Sequence, residues 1–319
     1  MPRPLSPLPP ELGRAYSVHR ARLLGVTPRR LRGNDLDSPY WGVRTAPFAS
    51  PDEDGLADRA ALEHLHRMRA YAERMPETRF FIGLSALVVW CGLLPVAAPR
   101  LEVGVFAPYR APHAQGVRGR QLTPGLVTVR EHGGLRLSSP ASTWVLLAAS
   151  LPRRDLVTFG ALLITPPIGP GGRVTGPALT SLTMLRAAID AGPRRGVVAA
   201  RRALELIRPG ARSRTEVHLW LALVDEGLPE AQFNVAVYDE AGLIGVFDLA
   251  FVHLRVLVEF HGDYHRLSPA AWAADIAKRQ RAREADWTVV EVTRRELYPD
   301  TAPAVARVGR ALVARGLVL

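Results

Sequence analysis

Residues 213–315 run through a helical segment, three short apolar runs, a long helix, one more apolar run and a closing helix. No other feature constrains the fold as strongly, because strands and helices in this order predict one sheet covered by helices. Ser213 opens the first helix, which runs to about Glu226, and Gly227 closes it. Strands are expected at 233–238, 244–251 and 255–260, a helix over 269–286, a strand at 288–292 and a helix over 301–315. The architecture expected here is αβββαβα.

Two acids sit awkwardly in that pattern. Asp248 lies inside the apolar run 244–250, and Glu259 ends the run 256–259 eleven residues later. A turn at Val252–Leu254 sets the two strands side by side and puts both carboxylates at one sheet edge. An acid at the end of an apolar strand is unfavourable unless it is paired or binds a metal. Hard divalent ions such as Mg²⁺ or Mn²⁺ bind such oxygens, commonly one or two carboxylates plus water and phosphate. Pairing with Arg255 or Arg279 is the structural alternative.

Charge divides along the chain. The 319 residues hold 41 Lys+Arg and 30 Asp+Glu, a net +11. Residues 1–200 carry the whole excess, while 201–319 hold 16 of each sign. A basic surface of that kind suits phosphate backbones. Within 225–263 there are eight acids and one base, and within 266–295 seven bases and four acids, an order that suits metal-assisted phosphodiester chemistry. Only Lys278 among the 41 cations is a lysine. The single cysteine, Cys91, excludes an internal disulfide framework and a Cys-rich zinc site.

The uncharged stretch 80–99 is long enough to raise a membrane span, but Gly83, Ser85, Gly92 and Pro95 interrupt it. It reads as a strand at 80–82 and a buried helix over 85–94 ended by Pro95. No secretory signal is read at the start, so the expectation is a cytoplasmic protein with no membrane partner. The length predicts two or three domains, divided here as 1–50, 51–172 and 173–319.

The first segment reads as a helix over 17–24, a break at Gly25, and a second helix N-capped by Thr27 with Pro28 at its first position. That second helix carries Arg29, Arg30 and Arg32, and a strand at 40–44 carries Arg44. Together they make a small winged helix-turn-helix whose second helix enters the major groove. Tyr40 and Trp41 are expected in its core. The middle segment reads as α+β, with a helix over 60–75, strands at 101–107 and 126–131 and a helix over 139–150. His113 and His132 have no acidic or Cys partners at metal-ligand spacing and are expected at the surface. Helices over 178–191 and 194–207 precede the last domain.

The segment 213–297 resembles a bacterial domain family related to very-short-patch-repair endonucleases, within the PD-(D/E)XK superfamily. The resemblance rests on Ser213-Arg214-Thr215-Glu216, Gly227-Leu228-Pro229 and Phe247-Asp248-Leu249-Ala250. It continues through Val258-Glu259-Phe260-His261-Gly262-Asp263-Tyr264-His265, Asp275, Arg279 and Trp287-Thr288-Val289-Val290. It implies a restriction-endonuclease-like, metal-dependent nuclease core with Asp248 and Glu259 as Mg²⁺ or Mn²⁺ ligands. His261 and His265 would serve the chemistry, with Asp275 and Arg279 in support. His261 stands where the superfamily usually has Lys, and a His can replace it as general base or, protonated, as the cation. Glu216 has two explanations, a capping box with Ser213 and support of the metal. Residues 1–50, through 25–32 and 42–44, resemble the winged-helix domain of abortive-infection type IV antitoxins, which implies DNA binding and leaves open a toxin or defence-system partner. Two functions stand against each other: a DNA-binding, metal-dependent endonuclease, and a non-catalytic DNA-binding regulator with a vestigial nuclease fold.

Overall fold

The structure is a computed structural model that describes residues 6–49, 59–169, 172–261 and 269–318. The fold is mixed α+β and divides into two compact units. The first comprises the chain up to Leu151 with Thr183–Arg201, and the second Pro152–Leu182 with Arg202–Leu319. The expected boundary at 172 thus falls inside the second unit.

In the first unit, β1 (Ala15–Ser17) leads into α1 (Val18–Leu23), whose N-cap Ser17 accepts from Arg20 N. β1 pairs antiparallel with β2 (Val43–Thr45). The expected second helix is only a 3₁₀ turn, Arg30–Arg32. Thr27 Oγ1 does accept from Arg30 N at 3.2 Å, so the cap forms as read. The run before Gly33 is too short to offset the cost of nucleating a helix. Leu12, Tyr16, Ala21, Val26 and Leu31 form the small core beneath it.

The chain continues through α2 (Arg59–Ala72), β3 (Arg79–Phe81), α3 (Gly83–Cys91), β4 (Leu101–Phe106), β5 (His113–Ala114) and β6 (Val117–Leu122). β7 (Val129–His132), β8 (Leu135–Ser138) and α4 (Pro140–Leu147) follow. The strands make one mixed sheet in the order β5-β6-β4-β3-β8-β7. The uncharged stretch 80–99 contains two of the three residues of β3 and all of α3, and Gly92 rather than Pro95 ends that helix. Among the described residues no helix is long and apolar enough to cross a membrane. His113 and His132 are exposed. Of the two later helices, α6 (Leu182–Asp190) belongs to this unit, and α7 (Val197–Leu204) begins in it.

The second unit starts with α5 (Arg153–Ile164), a buried helix that the sequence pattern does not announce. It packs beside α8 (Arg214–Asp225), tied by the ion pairs Arg153–Asp225 and Asp155–Arg214. β9 (Gln232–Asp239), β10 (Gly242–Phe251) and β11 (Val256–His261) then run as an antiparallel meander. α9 (Pro269–Glu284) returns the chain so that β12 (Thr288–Thr293) lies parallel to β11. The sheet order is β12-β11-β10-β9. A one-turn α10 (Arg294–Leu297), built on a Thr293–Glu296 capping box, and α11 (Ala302–Ala314) close the unit. Phe247, Leu257 and Ala282 are fully buried where α9 meets the sheet.

Candidate functional site

The 3₁₀ turn Val252–Leu254 joins β10 to β11, and the pairing runs from Phe251↔Val256 to Leu249↔Val258. Asp248 and Glu259 are the next residues on the two strands. Asp248 Oδ2 accepts the Phe260 N–H at 2.8 Å, which fixes its carboxylate across the strand pair. Glu259 is 7 % exposed. Burial pushes the Asp248 carboxyl up to about 6, Glu216's charge adds to that, and the Phe260 N–H, Lys278 and His261 oppose it. Burial likewise raises Glu259, against Lys278 and with the charges of Asp248 and Asp275. Two acids whose charged forms are both disfavoured by burial therefore share one edge, and the Asp248 charge further disfavours that of Glu259, the situation that a cation relieves.

Lys278 is the residue that the sequence reading missed. From α9 its Nζ bonds Glu259 Oε1 and the Val246 carbonyl, and it lies 4.2 Å from the centroid of the Phe247 ring. Gly245 makes room for it, since a Cβ there would lie 2.8 Å from Lys278 Cε. Its being the only lysine among 41 cations was the available signal. Glu259 Oε2 is buried with no hydrogen-bond partner among the described residues. That orphaned oxygen beside Asp248 fits a hard divalent ion, whose usual protein ligands are one or two carboxylates. Among the described residues no group of three or more His, Cys, Asp or Glu is arranged to hold a metal.

The parallel register sets Glu259 beside Glu291 and His261 beside Thr293. His261 Nε2 lies 2.9 Å from Arg279 Nη1 and 3.2 Å from Glu291 Oε2. Unprotonated it accepts from the guanidinium, and protonated it donates to the carboxylate. Arg279, only 5 % exposed, bridges Asp275 one turn earlier at 3.1 Å and Glu291 at 2.6 Å. It holds the site's wall together and is not posed to grip phosphate from solvent. Glu291, a second residue that the sequence reading passed over, also accepts from Arg283. Glu216 is buried and accepts from Arg212 N at 2.9 Å and Asn234 Nδ2 at 2.6 Å, so it secures the start of α8 while its charge reaches Asp248. His265 lies outside the described residues.

The N-terminal arginines separate into two kinds. Arg29 and Arg32 are exposed. Arg30 is bidentate to Asp35 at 2.9 and 2.6 Å, and Arg44 turns inward onto the carbonyls of Leu31 and Val43. Trp41 departs from expectation: it is 86 % exposed, while Tyr40 packs edge-on against Tyr71. The first unit holds 23 Lys+Arg against 13 Asp+Glu, and the second 18 against 17. The cationic excess therefore belongs to the unit that lacks the paired acids.

No family model matches the chain. It is 28 % identical over 211 residues to the Mycobacterium tuberculosis H37Rv protein described as "Uncharacterized protein Rv2248", a match covering 62 % of this chain and 71 % of that one. The corresponding uncharacterized protein of strain CDC 1551 matches over the same length at the same identity.

Proposed function

We propose that the chain is a DNA-binding protein whose second unit is a metal-dependent, phosphodiester-hydrolysing nuclease of the restriction-endonuclease-like kind. The first 50 residues would serve as a winged-helix DNA-binding module. The observation that carries the reading is the buried Asp248–Glu259 pair, with one Glu259 oxygen on Lys278 and the other without a hydrogen-bond partner among the described residues. Asp248 and Glu259 would hold Mg²⁺ or Mn²⁺, which supplies charge stabilisation at the phosphate and a more acidic water. Lys278 supplies the cation that the sequence pattern lacks at position 261, delivered from α9 instead. His261 is held through Nε2 by Arg279 and Glu291 and would take part in proton transfer through its other ring nitrogen, Nδ1. Arg279 and Glu291 act as positioning residues.

The Lys278–Glu259 ion pair also favours a second reading. A lysine that neutralises Glu259 can stabilise the edge without any metal, as in a DNA-binding regulator that keeps the fold and has lost the chemistry. Supercoiled-plasmid nicking separates the two. The first reading expects cleavage with Mg²⁺ or Mn²⁺ that Asp248→Asn, Glu259→Gln and Lys278→Met each abolish. DNA binding with no cleavage in either metal supports the regulator, and cleavage that survives in all three variants places the activity elsewhere.

A further inference from the structure

We propose that Trp41 and the groove beside it hold an unpaired base of single-stranded DNA, an inference that rests on the DNA-binding reading above and deepens it. The turn explains the position of the ring. Val43 N donates to Tyr40 O at 3.0 Å and Gly42 has φ +75°, so Trp41 occupies the outer corner of a tight turn. A large apolar ring left 86 % exposed forgoes burial that its size would otherwise gain. It is nevertheless held: the Arg74 guanidinium lies 5.3 Å from the ring centroid and donates to the Trp41 carbonyl. A stacking surface fixed before binding loses little freedom when a ligand arrives.

The groove beside it has a volume of about 670 Å³ and is lined in part by His19, Arg22, Tyr40, Trp41, Arg44 and Arg74. No carboxylate lines it among the described residues. Arg44 is taken up by the carbonyls of Leu31 and Val43 and Arg74 by that of Trp41, so the exposed Arg22 is the cation of this lining offered to a phosphate. Cations flanking an exposed aromatic face match a nucleotide chain, which presents a π-face and a phosphate with each unit. Bases in an intact duplex are stacked on each other and offer no free face. The groove therefore selects a gap, a loop or a displaced strand.

The test uses the full chain with EDTA, so that binding is read without cleavage. Fluorescence anisotropy compares a short labelled oligothymidine with a duplex of equal length. Trp41→Ala is expected to weaken single-strand binding by about 5- to 150-fold, the range for loss of one base–aromatic stack, with duplex binding unchanged. Trp41→Phe should restore most of the loss. Unchanged single-strand affinity in Trp41→Ala, with duplex binding intact in the parent, overturns this inference alone. Equal losses on both DNA forms that Trp41→Phe does not rescue also overturn it. If the parent binds neither form, the inference falls together with the DNA-binding reading. A parent dimer that Trp41→Ala converts to monomer assigns the ring to a contact between copies and overturns it as well.

Discussion

Replacing Asp248 by Asn is expected to stabilise the protein, and the gain should depend on pH. Burial and the Glu216 charge raise the Asp248 carboxyl from 3.8 to about 6 in the folded chain. An unfolded chain ionises Asp near 3.9. Between about pH 4 and pH 6 the folded protein holds more protons than the unfolded one, so stability falls as pH rises through that window. Above it the loss is complete. A shift of roughly two units at about 1.4 kcal/mol each amounts to at most about 3 kcal/mol. Asn keeps a carbonyl that can accept the Phe260 N–H, so the strand-pair contact survives. Removing the charge also relieves Glu259, which the Asp248 charge raises, and this acts in the same direction. Paired urea titrations of the full chain in EDTA should show Asp248→Asn ahead by up to about 3 kcal/mol at pH 8 and nearly level with the parent at pH 4. Mn²⁺ should narrow the gap by stabilising the parent alone. An advantage of the same size at both pH values, or a parent that is more stable at pH 8, refutes the argument.

The remaining predictions concern the groups around that edge and the basic unit. Lys278→Met keeps the aliphatic stem and removes the cation from a nearly buried Glu259; urea unfolding at neutral pH should show a loss of about 1–3 kcal/mol. Arg279→Met leaves Asp275 and Glu291 without their shared partner and should cost about 2–3 kcal/mol in the same assay, discounted because Glu291 is partly in solvent. In salt titrations of duplex binding, Arg29→Ala with Arg32→Ala should flatten the slope of log affinity by about 1.8, from two phosphate contacts at about 0.9 each. Arg30→Ala should mainly lower stability, because its guanidinium already serves Asp35.

The second unit was largely legible because its sheet is written in apolar runs, and single acids interrupting them mark the edge where β10 and β11 stop pairing. Ser213 and Gly227 bound α8 as their types require. Lys278 was not legible as a site residue, since its approach to Glu259 depends on how α9 lies on the sheet and on the space that Gly245 leaves. Glu291 was hidden for a related reason: only the parallel register with β11 brings it to His261 and Arg279. α5 went unread because Val157, Thr158 and Gly160 are poor helix formers, and burial against α8 overrides propensity. At the N-terminus the cap at Thr27 was right and the helix length wrong. Trp41 was misplaced because apolar size suggests a core, whereas a four-residue turn sends the ring outward.

The central claim is that Asp248 and Glu259 hold a divalent ion. Anomalous diffraction from crystals of the full chain grown in Mn²⁺ tests it most directly. The expected result is a manganese peak at the edge where the Asp248 and Glu259 carboxylates would hold the ion. A well-ordered edge that shows no manganese peak, with Lys278 still paired to Glu259, would contradict it and leave the metal-free regulator as the reading to pursue.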